Sequence, residues 1–115
     1  MTHETRKLTG PQRMALERLI DIARRDTGQS RKAANFLLAW WNAQECGGFD
    51  LTDLWNVDRS IAQDMLTIFG LLIHSMIYPD TLGYGSDFNA LIRAWRPALI
   101  ASQEPIQSLP PTEAQ

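Results

Sequence analysis

The chain has 115 residues, 44% of them hydrophobic and 21% charged, with a formal net charge of −2. That is the size and balance of one globular domain with a single core, which excludes wholesale disorder. The single cysteine, Cys46, excludes an intramolecular disulfide.

Residues 1–8 read as a flexible polar arm. Thr9-Gly10-Pro11-Gln12 is a helix start: Thr9 can cap, Pro11 suits the first turn, and Gln12 has the spacing of a capping box. A first helix is predicted to run to about Asp26, with Leu16, Leu19, Ile20 and Ala23 as its inward stripe and Gly28 as its left-handed terminator. Ser30 is then expected to cap a second helix, Arg31 to Glu45, that ends at Gly47-Gly48. Asp50 caps a short helix over Leu51 to Trp55. Asp58 or Ser60 starts a long one, Arg59 to Ile77, whose second half is apolar nearly all round, the mark of a central helix packed on several sides. Gly70 within it implies the close approach of another helix. Tyr78 to Gly85 is a structured loop, and Ser86 is expected to cap a last helix that Pro97 bends or ends. From Ser102 the composition turns to Pro, Gln, Ser and Thr, predicting a disordered tail over 102–115. The whole reads as an all-α protein: a helical domain over 9–101, a compact bundle of about five helices with a central apolar helix.

The longest apolar stretch, Met65 to Tyr78, is interrupted by Thr67, Gly70, His74 and Ser75. It is also shorter than the roughly 20 residues of a membrane-spanning helix. With no apolar signal core near Met1, a cytoplasmic protein without a membrane partner is expected.

Chemistry-bearing motifs are scarce. Cys46 and His74 suggest a nucleophile and base, but a helix C-terminus raises a thiol pKa rather than lowering it. His74, in the most apolar part of the chain, reads better as a partly buried structural histidine. No metal-ligand spacing and no phosphate-binding glycine loop is present, so neither a metal nor another cofactor is expected. Asp50, Asp53 and Asp58 are spaced as helix caps and first-turn acids.

Charge is unevenly distributed. Residues 1–32 carry eight Lys/Arg and four Asp/Glu (8 − 4 = +4), and residues 33–115 carry three and nine (3 − 9 = −6). Within the basic part, Arg24, Arg25, Arg31 and Lys32 flank a predicted turn and form a candidate anion-binding corner in a helix-turn-helix-like unit. Arg24 and Arg25 suit a helix C-terminus. Arg31 and Lys32 oppose the dipole at a helix N-terminus, so an anion is needed there: Asp26, a partner's carboxylate or a phosphate. A second helix-turn-helix candidate, Leu51 to Leu72, carries Asp64 beside Arg59 on its expected outer face and repels phosphate. Of the four tryptophans, all expected to help fill the core, Trp40 is the candidate for a partly exposed partner anchor, because Trp40 and Trp41 lie about 100° apart on one helix. Tyr84 is a second candidate.

The run Phe36-Leu37-Leu38-Ala39-Trp40-Trp41-Asn42-Ala43-Gln44-Glu45-Cys46-Gly47-Gly48-Phe49-Asp50-Leu51 is followed by Leu54-Trp55 and Val57-Asp58. With Tyr78-Pro79-Asp80-Thr81-Leu82-Gly83-Tyr84 and Trp95-Arg96-Pro97, it resembles a family of small proteobacterial helical proteins of unknown function, often found on plasmids and integrative elements. The resemblance covers about residues 24–97. It implies a bacterial setting on mobile DNA and assigns no residue a role.

These observations favour a non-enzymatic accessory or regulatory protein that binds another protein, with self-association also open. DNA binding through Arg24 to Lys32 is the first alternative, against which the acidic overall balance counts. An enzyme using Cys46, His74 or the Tyr78–Tyr84 loop is the second.

Overall fold

The computed structural model describes residues 8–100. The predicted arm up to residue 7 and the predicted tail from 102 lie outside them. Six helices with both ends among the described residues follow in chain order, residues 97–100 are helical again after a break at Arg96, and no strand is found among the described residues. Four are α-helices: α1 (Gly10–Ala23), α2 (Gly28–Cys46), α3 (Arg59–His74) and α4 (Gly85–Trp95). Two short 3-10 helices, Leu51–Asn56 and Pro79–Leu82, precede α3 and α4. The all-α class is as the sequence predicts.

α1 starts at the predicted capping box. The Gln12 amide N–H donates to Thr9 Oγ1 at 3.1 Å, and the Thr9 N–H donates to Gln12 Oε1 at 3.0 Å. Its stripe Ala15, Leu16, Leu19, Ile20 and Ala23 is buried, and α1 packs on both α2 and α3. Each fully buried leucine contributes about 1.5–3 kcal/mol.

α2 starts earlier than expected. Thr27, not Ser30, is the N-cap, accepting from the Ser30 N–H at 3.0 Å, and Gly28 lies in the first turn without a positive φ. Ser30 is buried, its hydroxyl 2.8 Å from that of Thr27. Ala33, Ala34, Phe36, Leu37 and Leu38 bury the inner side. Near its end the helix breaks at Asn42 (φ −168°, ψ 85°), whose side chain accepts from the Glu45 N–H at 3.2 Å and so caps the last turn afresh. Gly47 supplies the positive φ, 96°, that ends α2.

α3 ends at His74 rather than Ile77, because Ser75 is already extended and Tyr78, preceding Pro79, is held out of the helical region. Its burial is one-sided: Ile61, Asp64, Met65, Ile68 and Leu71 face inward. Asp64, expected on the outer face, is buried, and Arg18 of α1 clasps it with both Nε (3.0 Å) and Nη2 (2.8 Å). The bidentate geometry suits a carboxylate drawn out of water. Hydrogen bonding to Asp64, then its charge, raises the Arg18 pKa.

α4 begins at Gly85 with Tyr84 as N-cap, not at Ser86, and makes no side-chain cap. Its Phe88 and Leu91 are buried. Phe88 receives both adjacent indoles: Trp41 stacks on it (centroids 5.5 Å, 28°) and Trp40 meets it edge-on (6.0 Å, 89°). The two tryptophans thus share one core ring, contrary to the 100° argument. The far end of α4 is tied down by polar bonds. Trp95 Nε1 donates to the Ala23 carbonyl at the end of α1 (2.8 Å). Arg96 donates to the Cys46 carbonyl (2.8 Å) and to Asn35 Oδ1 (2.7 Å), satisfying a carbonyl at the end of α2.

Candidate functional site

The four cations of the predicted corner separate into two settings. Arg24 forms an ion pair with Asp87 of α4. It lines a cleft of about 350 Å³ with Glu17, Asp21 and Tyr84. Arg25 pairs with Asp21 one turn back, at 2.6 Å. Arg31 and Lys32 form no ion pair among the described residues, and Asp26, the expected local partner, forms none either. Lys32 and Arg25 line a second cleft, of about 520 Å³, beside Thr27, Gln29, Asp58 and Ser60. It lies between the starts of α2 and α3, where the Asp58 N–H donates to Gln29 Oε1. Asp58 places a carboxylate in the same cleft as the two cations, and Asn35, one turn along α2 from Arg31, accepts from Arg96.

The two candidate aromatics are engaged inside the fold. Trp40 is half-buried and its Nε1 donates to the Ile77 carbonyl at 2.9 Å. Tyr84 is half-buried and its hydroxyl donates to Glu17 Oε2 at 2.8 Å. Desolvation, then the hydrogen bond with Glu17, raises the Tyr84 pKa. The exposed indole is instead that of Trp55, 81% accessible on the first 3-10 helix. The other tryptophans, Trp40, Trp41 and Trp95, each pack against the core.

Cys46 is buried, and desolvation pushes its thiol pKa up, with Arg96 opposing and Glu45 adding to the shift. The expectation for His74 is corrected: it is exposed at the end of α3, because that end of the helix carries its outer side into solvent. A raised thiol pKa lowers the thiolate fraction that nucleophilic chemistry uses. Among the described residues no three His, Cys, Asp or Glu side chains come together as a metal-holding group. No helix among them is long and apolar enough to cross a membrane.

The feature that the sequence reading missed is the outer side of α3. Leu66 and Ile73 are 62% and 77% exposed, and Phe69 is also exposed. Together with Ala62 and Gly70 they occupy positions i, i+4, i+7, i+8 and i+11, a second apolar stripe roughly opposite the core-facing one. Nothing lies within 4 Å of where a Cβ on Gly70 would stand, so no helix of the described chain approaches there. Beside the stripe runs an apolar groove of about 260 Å³, lined by Phe36, Ala39, Trp40, Phe49, Leu51, Phe69 and Leu72. Phe36 anchors its floor in two edge-to-face contacts, with Phe49 (5.3 Å) and Phe69 (5.4 Å). Exposed Leu51 stands at its margin, and fully exposed Met76 follows the end of α3. The signal was in the sequence: a helix apolar all round needs cover on every side, and among the described residues the cover lies mainly on one.

No curated protein and no solved structure matches the chain. A family model matches residues 13–96, from the first turns of α1 to the arginine that ties α4 to α2. The chain therefore belongs to DUF7673, a family of unknown function.

Proposed function

We propose that this chain is a non-enzymatic accessory or regulatory protein that acts by binding another protein in the bacterial cytoplasm, in the mobile-DNA setting that its resemblance implies. The outer side of α3 and the adjoining groove are the contact surface. The observation that carries this reading is the stripe Leu66, Phe69 and Ile73, left in water beside an apolar groove. Contiguous exposed apolar surface rimmed by polar groups is where partners dock. Exposed Trp55 is a candidate anchor on the 3-10 helix that Leu51 begins.

Affinity capture from bacterial lysate, with and without nuclease, tests it. A discrete protein retained after nuclease treatment and lost with Leu66→Lys/Ile73→Lys supports the reading. Capture of nucleic acid alone overturns it. That outcome would favour the second reading, DNA binding through the corner, for which Arg31 and Lys32 at the start of α2 speak, since they form no ion pair among the described residues. Alanine at both positions would then flatten the salt dependence of binding.

A further inference from the structure

We infer that a second copy of this chain covers the outer side of α3, the two α3 helices crossing near Gly70 about a two-fold axis. The inference rests on the reading of that side as a binding surface and names its occupant. The first observation is Gly70 itself. It lies in the middle of a helix, in line with exposed Leu66 and Ile73, and no atom of the described chain occupies the space beside it. A glycine there lets another helix approach closely, and the approach is closest when that helix also carries a small residue at the crossing. α3 of a second copy is such a helix, with Gly70 meeting Gly70 and the side chains of Leu66, Phe69 and Ile73 interleaving on either side.

Charge points the same way. At a two-fold axis each side chain lies near its own copy, so a charged group there would face a like charge. Ala62, Leu66, Phe69, Gly70 and Ile73 carry no charge. Arg59, at the start of the helix on this side, is eleven residues from Gly70, about 16 Å along the axis and clear of the crossing. The area sets the scale: Leu66, Phe69 and Ile73, with Met76 and Leu51 at the margins, are all large and exposed, and if fully covered on two copies they reach on the order of the 1,200 Å² at which stable interfaces begin.

Sedimentation velocity on the full chain tests this, up to about 100 µM, above the micromolar Kd of a weak interface of standard size. The expected species has twice the 13.0 kDa chain mass. Gly70→Gln should weaken the dimer at least tenfold with unchanged helical circular dichroism, because open space surrounds that position in the monomer and glutamine is the better helix former. Leu66→Glu/Ile73→Glu should be monomeric and folded. A wild-type chain that stays monomeric throughout, or a dimer indifferent to both variants, overturns the inference. If the chain is monomeric yet captures a protein that the double Glu variant loses, self-pairing fails and the binding surface stands. If it neither pairs nor captures, both fail.

Discussion

Met65 and Ile68 on one side of α3 are sealed from water, while Leu66 and Ile73 on the other are mostly exposed, although all four are large apolar residues on one helix. The inner side packs on α1, whose Leu16, Leu19 and Ile20 share one buried core with it and whose Arg18 clasps Asp64. On the outer side Phe69 meets the Phe36 ring edge-on, while Leu66 and Ile73 stand in solvent. Hydropathy measures the tendency to leave water and is blind to whether the cover comes from the same molecule. The polar group separates the two sides better: Asp64 is clasped by Arg18, whereas the outer stripe contains no group that must be satisfied.

Substitutions can break this contrast. The largest expected effects are inside: Ile68→Ala should cost about 2–5 kcal/mol and Phe88→Ala about 3–5 kcal/mol in urea unfolding, since neither site can collapse around the cavity easily. If Ile68→Ala proved no more harmful than Ile73→Ala, the distinction between the sides would be lost. Next comes the Arg18–Asp64 pair. Arg18→Ala should lower Tm by leaving the Asp64 carboxylate buried without its partner, and a paired Arg18→Leu/Asp64→Leu change should recover most of the loss. Gly70→Ala should raise the stability of dilute monomer by up to about 1 kcal/mol, because helix propensity improves and nothing is crowded.

The smallest effect is one of pH. Burial raises the Cys46 thiol pKa, and burial with the Glu17 contact raises that of Tyr84. Each folded group therefore holds its proton at a pH where the unfolded chain has lost it. Stability should be fully present in neutral solution and fall as pH rises, from about 8.5 for the thiol and about 10 for the phenol. Chemical denaturation at stepped alkaline pH checks the slope, and Cys46→Ala should remove its earlier part. The same burial should make the native thiol react with a disulfide reagent more slowly than free cysteine.

Much of the fold was legible because it is written locally. The Thr9–Gln12 box, the Asp50 cap and the inward stripe of α1 are short-range patterns, and each appears as expected. The start of α2 shifted because Thr27 and Ser30 are both good caps. The hydroxyl that won leaves the other inside the first turn, bonded to it. Asn42 breaks α2 without a proline or glycine to announce it, and the meeting of Trp40 and Trp41 on Phe88 depends on where α4 lies. The candidate site was the least legible part. Arg24 finds Asp87 across 63 positions and Tyr84 finds Glu17 across 67, pairings that no spacing rule contains. Trp55 differs from the other tryptophans only in what the fold fails to place over it.

The uneven fate of those tryptophans gives the molecule built-in reporters. Trp41 and Trp40 flank Phe88, and Trp95 is tied to the end of α1, so these indoles should emit at short wavelength until the helices separate. Trp55, standing in water, should emit to the red and be open to iodide quenching. A ligand that covers the 3-10 helix would shield the red component alone, and unfolding would shift the blue one. Binding and denaturation could then be followed in one cuvette, on the unlabelled chain, as two separable colours.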